Sequence, residues 1–178
     1  MKDWIGLAAR LVAGGVWIVA GALKLPDPSA SVRAVRAYDL LPESVVPTIG
    51  HLLPLVEVVV GVCLVLGLLT RLMGALSALL FLAFIIGIAS AWARGLEIDC
   101  GCFGGGGLEE GASSKYPWEI ARDVGLLLLS AWLVIWPRTR WSLDAVVFPP
   151  RAGEISPRRN PPGSGDGEDW DVEAQQGR

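Results

Sequence analysis
The chain has 178 residues, 52% of them hydrophobic, with a formal net charge of −3 and three cysteines. A mean hydropathy of +0.49 is too high for an ordinary soluble domain, and the slight negative balance argues against nucleic acid as a partner. The apolar residues fall into four long stretches, each about the twenty residues that a helix needs to cross roughly 30 Å of hydrocarbon. This pattern predicts an all-α, polytopic four-helix bundle in a lipid bilayer over residues 1–148, followed by a disordered tail over 149–178.

The first predicted span covers 5–23. Lys2, an apolar run and Ala20-Gly21-Ala22 imitate a secretory signal, but Asp3 and Arg10 interrupt the expected charge pattern and further spans follow, so an uncleaved transmembrane helix is expected. The second and third spans, 49–69 and 72–93, meet at a tight Thr70-Arg71 turn, and the fourth covers 117–136. Trp4, Trp92, Trp118, Trp136 and Trp141 stand at span ends, where aromatic belts form. Lys2, Arg71, Arg138 and Arg140 fall on one side, and Lys24, Arg33, Arg36, Arg94 and Lys115 on the other. The Thr70-Arg71 turn and the basic end of the last span favour a multi-pass cell-membrane protein with both termini cytoplasmic and the Cys100 loop extracytoplasmic. The tail after Pro149 is rich in Pro, Gly and charge, cannot build a core, and reads as cytoplasmic and solvated, Trp170 included.

Between the third and fourth spans lies Asp99-Cys100-Gly101-Cys102-Phe103-Gly104. A Cys-x-Cys pair closes a small, strained disulfide ring that suits exchange better than stapling, on the side of the membrane where disulfides persist. Cys100 and Cys102 are therefore the candidate catalytic residues, and Gly101, Phe103 and Gly104 the candidate docking point for a partner chain. His51 starts the second span on the same side, but Cys100, Cys102 and His51 make an incomplete metal site with the wrong spacing for a zinc finger, so thiol chemistry is preferred. Cys63 reads as a small apolar packing residue.

Ionisable groups inside spans carry the remaining signal, because charge in hydrocarbon faces a partner or water. Arg10, Glu57, Arg122 and Asp123 are the candidates. At about 1.5 Å per residue, Glu57 and Arg122 lie at comparable depths from the outer side, so a Glu57–Arg122 pair is expected, within a polar network of Lys24, Glu57, Arg122 and Asp123 beneath the cysteine loop. Two readings of that network stand: it fixes helix register, or it tunes the thiols and carries the protons that disulfide exchange moves. Arg10, nearer the inner face, is expected to snorkel or to pair elsewhere.

Taken together, Arg10, Gly21-Ala22-Leu23-Lys24-Leu25, Ala37-Tyr38-Asp39-Leu40-Leu41-Pro42, Pro54-Leu55-Val56-Glu57 with Gly61 and Gly67, Cys100-Gly101-Cys102-Phe103-Gly104 and Arg122-Asp123 resemble the methylamine utilisation protein MauE family, within the wider DoxX-like membrane proteins. The resemblance covers about residues 5–137, and the Cys-Gly-Cys-Phe-Gly element is its most specific part. It implies a four-helix membrane protein that supports disulfide maturation of exported proteins. In the namesake system the substrate is the disulfide-rich small subunit of methylamine dehydrogenase, processed beside an extracytoplasmic thioredoxin-fold partner. No cofactor is predicted. A quinone-linked oxidase of the vitamin K epoxide reductase type uses a Cys-x-x-Cys and a second shuttle pair, and this chain has neither. The alternatives are a non-enzymatic assembly or chaperone subunit, whose disulfide only shapes a loop, and a small-solute or metal carrier lined by Glu57 and Arg122.

Overall fold
The computed structural model describes residues 2–102 and 104–136. It is mostly helical: α1 (Lys2–Lys24), α2 (Pro28–Ala37), α3 (Val46–Leu66), α4 (Thr70–Ala93) and α5 (Tyr116–Ile135), with a two-residue ladder of β1 (Ile98–Asp99) and β2 (Gly107–Leu108) and a 3₁₀ turn at Ala112–Ser114. Three segments, Trp4–Lys24, Val46–Leu66 and Thr70–Ala93, are long and apolar enough to cross a membrane. The remaining long helix, α5, has 20 residues and carries Glu119, Arg122 and Asp123 in its first turns. The tail expected over 149–178 lies outside the described residues, as do Phe103, Arg138, Arg140, Trp141 and Trp170.

The boundary between the second and third spans differs from expectation. The second helix runs over 46–66 rather than 49–69, and the turn is not at Thr70-Arg71. Gly67 takes the left-handed conformation with φ of 70°, and its N–H closes back on Leu64, which is how glycine ends a helix. Thr70 already belongs to α4.

Sequence reading also missed α2. Its cues are local: the Asp27 side chain accepts from the Ala30 N–H at 3.2 Å, and Pro28 occupies the first turn, where its missing N–H costs nothing. Ala30, Ser31, Val32 and Ala34 are buried, so α2 lies across the end of the helices with its small residues inward. It rests on α3 at Gly50, where an added Cβ would meet the Val32 Cα at 2.6 Å.

Among the long helices, α1 packs against α3 and α5, while α4 packs against α5 and α3. The α1–α3 seam is close because it is made of small residues. A Cβ on Gly14 would strike the Gly61 carbonyl at 2.9 Å, and one on Gly21 the Pro54 carbonyl at 2.7 Å. This is the way helices associate in lipid, where backbone approach and dispersion replace the hydrophobic drive. Trp17 fills the centre, stacked 4.3 Å from Phe81 of α4, within a core of Ala9, Ala13, Val60, Leu64, Leu126 and Leu133. Its indole N–H donates to Ser77 Oγ at 2.7 Å, Ser77 meets Ser130 Oγ at 2.8 Å, and Ser130 lies 2.9 Å from the Leu126 carbonyl. A polar chain thus ties α1, α4 and α5 inside an otherwise apolar core.

Of the two expectations for Arg10, snorkelling or a partner elsewhere, the second holds: the side chain is 1% exposed and bonded inside the bundle. Its Nε donates to the Leu64 carbonyl and its guanidinium to the Val65 carbonyl, both at 2.9 Å. These are last-turn carbonyls of α3, where the helix dipole favours a cation; the Leu64 carbonyl also accepts from the Gly67 N–H at 3.1 Å.

Candidate functional site
The cysteines sit at the opposite end of the bundle, in the segment joining α4 to α5. The ladder pairs Ile98 with Leu108 and Asp99 with Gly107, which brackets residues 100–106 as a closed loop. Tyr116, the first residue of α5, fixes the base of the loop: its hydroxyl accepts from the Ile98 N–H at 3.0 Å and donates to the Leu96 carbonyl at 2.8 Å. Tyr38, at the end of α2, donates to the Cys100 carbonyl at 3.0 Å, and Arg94 in turn donates to the Tyr38 carbonyl. Burial and the nearby sulfurs push the Tyr38 phenol well above its usual range, so it stays a donor. Asp99 turns the chain by accepting from the Gly101 N–H at 2.8 Å.

Both sulfurs are nearly enclosed, Cys100 at 7% and Cys102 at 6% exposure, packed with Ile88, Ala112, Tyr116, Tyr38 and Ile120. Both are free thiols in this structure, the reduced half of the dithiol–disulfide cycle. The Cys102 N–H points to Cys100 Sγ at 3.4 Å. The Cys102 thiol is pushed well above its ordinary value, first because its proton is held on Cys100, then by burial and by the charge of Cys100 and Asp123; Arg122 opposes the shift. The Cys102 thiol lies 3.9 Å from the Cys100 carbonyl, and on α5 Glu119 Oε2 is buried without a hydrogen-bond partner.

The glycines of the loop serve close approach, as expected, but the surface they approach is this chain's own. At Gly101, with φ of +67°, an added Cβ would meet the Ala34 Cβ at 2.5 Å, and at Gly104 it would meet Leu23 at 3.2 Å. The loop therefore lies on α2 and on the end of α1. Phe103, expected to dock a partner beside them, falls outside the described residues.

The four charges expected as one network form two ion pairs. Lys24 Nζ contacts Glu57 Oε1 at 2.6 Å, with the side chains 3% and 0% exposed. Arg122 pairs with its neighbour Asp123 at 2.9 Å, which replaces the expected Glu57–Arg122 pair. The reason is reach: Lys24 ends α1 against α3, across the small-residue seam, and Asp123 is adjacent to Arg122 in the chain. Phe84 touches both sides, since Lys24 lies 5.5 Å from its ring and the ring lines a cavity shared by Trp17, Phe81, Cys102, Arg122 and Asp123. That cavity holds about 10 Å³, room for roughly one water. Glu57 Oε2 and Asp123 Oδ2 are both buried without a hydrogen-bond partner.

His51 does not join the cysteines: it is exposed on α3, with Nδ1 at 2.6 Å from the Pro47 carbonyl. Among the described residues no group of three or more His, Cys, Asp or Glu side chains is placed to hold a metal ion. Cys63 is half-buried on α3. Sequence reading missed Glu119, Tyr38 and Tyr116 as parts of the site. Glu119 had a signal, because it lies one helical turn before Asp123 and so shares its face.

Neither the curated proteins nor the solved structures yield a match to this chain. Over residues 2–136, however, the sequence matches the profile described as methylamine utilisation protein MauE. With three helices apolar and long enough to cross a bilayer, the chain belongs to the MauE family of membrane proteins, consistent with methylamine utilisation.

Proposed function
We propose that this protein exchanges thiol and disulfide states with exported proteins through Cys100 and Cys102, acting beside a thioredoxin-fold partner outside the membrane. The observation that supports this best is the placement of both free thiols in one loop, with the Arg122–Asp123 pair beside Cys102 around one small cavity. A thiol pair that merely braced a loop would not need buried carboxylates with unsatisfied oxygens around it. In the namesake pathway the client would be the small subunit of methylamine dehydrogenase.

In this reading α5 is the fourth span, its Glu119, Arg122 and Asp123 near the outer interface, and it completes a four-helix bundle with α1, α3 and α4. Both termini face the cytoplasm, and the cysteine loop, α2 and the ladder form the outer cap. The sulfurs are buried, so a partner reaches them when the loop lifts from Ala34, with Gly101 and Gly104 as the turning points.

The test is thiol accessibility in intact cells with Cys63 replaced by Ser. A membrane-impermeant thiol reagent should label Cys100 or Cys102 from outside, and Cys102→Ser should trap a mixed disulfide on Cys100 with an extracytoplasmic protein. Labelling only after the membrane is opened reverses the topology and ends this model.

The burial of both sulfurs favours one second reading, a non-enzymatic assembly subunit in which the loop is purely structural. Under that reading Cys100→Ser with Cys102→Ser leaves client maturation intact, whereas under the exchange reading maturation stops.

A further inference from the structure
One small cavity touches the cysteine loop. Cys102, Arg122 and Asp123 line it, and its other walls, Val16, Ala20 and Phe84 among them, are apolar. Two guanidinium nitrogens of Arg122 contact Asp123 Oδ1 at 2.9 Å, which leaves Oδ2 buried without a hydrogen-bond partner in a residue only 2% exposed. We propose that this cavity is a binding site for one water molecule, held between Asp123 and the Cys102 thiol, and that the water carries the Cys102 proton to Asp123. The use of that proton rests on the thiol–disulfide reading above; the water site stands apart from it.

Size and polarity both select the occupant. A cavity of about 10 Å³ admits one water and nothing larger. Purely apolar cavities stay dry, whereas a buried water takes about two to four polar partners, and Asp123, Cys102 and Arg122 supply them here. Inside its own loop the Cys102 thiol has a long contact, 3.9 Å to the Cys100 carbonyl, so a water at hydrogen-bond distance is the better acceptor.

The transfer leaves the net charge of the cavity unchanged. The Cys102 S–H bond breaks and its proton joins the water, which passes one of its own to Asp123 Oδ2; the electron pair of the S–H bond stays on sulfur. Before the step the cavity is lined by the Arg122 cation and the Asp123 anion, and after it by the Arg122 cation and the Cys102 thiolate. The enclosed thiolate therefore forms with its counter-ion in place, which avoids the cost of an unpaired buried charge. A thiolate is the form that attacks a disulfide, so exchange through Cys102 passes through this step. The Arg122 side chain, 24% exposed, brings solvent to the edge of the pair.

The titratable and charged groups around Cys102 are Cys100 in its own loop, Tyr38 at the end of α2, and Tyr116, Arg122 and Asp123 on α5. Helices α1 and α4 present apolar walls, and Lys24 of α1, paired with Glu57, reaches the ring of Phe84. Among these groups Asp123 combines a place in the cavity with an acceptor oxygen that lacks a partner.

The test follows exchange of the Cys102 S–H for S–D in D₂O by infrared spectroscopy, on full-length protein in detergent carrying Cys63→Ser and Cys100→Ser, so that Cys102 is the sole thiol. Asp123→Asn should slow the exchange at least about tenfold. Ala20→Val and Val16→Ile fill the cavity from α1 and leave Cys102, Arg122 and Asp123 in the chain, and both should slow it as well. Loosening of the fold works in the opposite sense, because opening the loop exposes the thiol and speeds exchange. An Asp123→Asn rate equal to or above the parent's overturns the relay. Slow exchange in Asp123→Asn with parental rates in both filled variants means that Asp123 acts without the water, and overturns the site. The S–H band of the parent should also lie below its position in the filled variants, because a thiol that donates a hydrogen bond vibrates at lower frequency, and coincident bands overturn the water too. No partner enters this measurement. Normal client maturation in Cys102→Ser cells therefore removes the thiol–disulfide reading while slowed S–H exchange still stands for the water site, and unchanged exchange removes the water site alone.

Discussion

The two ends of the helix bundle both bury charge, and they treat it in opposite ways. At the α3–α4 turn Arg10 is enclosed and gives its protons to the Leu64 and Val65 carbonyls, so the buried charge is hydrogen-bonded. At the cysteine end Glu57, Glu119 and Asp123 each keep one carboxylate oxygen buried without a hydrogen-bond partner. A satisfied buried charge is architecture, because moving it costs the hydrogen bonds it makes. Unsatisfied oxygens beside two free thiols leave capacity for a proton or a water.

If that contrast is right, disturbing Arg10 costs most in stability and does least to the thiols. Arg10→Leu removes two charged hydrogen bonds to helix-end carbonyls in an apolar setting and should destabilise the protein by about 3–5 kcal/mol, at about 1.5–3 kcal/mol for each. Chemical unfolding in detergent measures it, and a loss under about 1 kcal/mol would make Arg10 dispensable to the architecture. Glu57→Gln leaves Lys24 buried and unpaired and should cost about 3 kcal/mol. Adding Lys24→Met should recover at least half of that cost, and an additive double variant would mean the two side chains are uncoupled.

At the cysteine end the effects are smaller in stability and larger in reactivity. Gly101→Ala places a Cβ on Ala34 and forces a left-handed backbone, for about 1–2 kcal/mol. The loop should then lift more often, and alkylation of Cys100 and Cys102 in folded protein should rise roughly tenfold, since about 1.4 kcal/mol is a factor of ten. Unchanged protection would place the loop's anchorage elsewhere, for instance in the Tyr38 and Tyr116 hydrogen bonds. The smallest effect is on the pH dependence of stability. The Cys102 thiol is held above its unfolded value, so the folded state keeps a proton that the unfolded chain sheds at alkaline pH. Its contribution is complete below the ordinary thiol range and fades as pH rises from there toward the folded value. Cys102→Ser should therefore flatten the alkaline decline in stability, and an identical slope in both proteins would assign the decline to other groups.

Much of this was legible in the chain because hydrocarbon imposes a length and a composition on any helix that crosses it. The helices α1, α3 and α4, the family, and the singling out of Cys100 and Cys102 follow from apolar runs and a short motif. The helix α2 had the Asp27-Pro28 start signal but lacked an apolar run, so a search for spans passed over it. Glu119 stands one helical turn before Asp123 at the head of α5, and the reading of charges inside the spans passed over it.

The sequence by itself determined which residues are charged within apolar surroundings, because that depends on local composition alone. Only the tertiary structure decided how they pair. Lys24 reaches Glu57 because Gly14, Gly21 and Gly61 bring the backbones of α1 and α3 together, and Arg122 takes Asp123. Likewise, spacing put two cysteines in one loop, but it took the packing of Gly101 on Ala34 and of the loop on α5 to bury the sulfurs. Such contacts join residues distant in the chain through shape, and shape is fixed only when all the helices are in place.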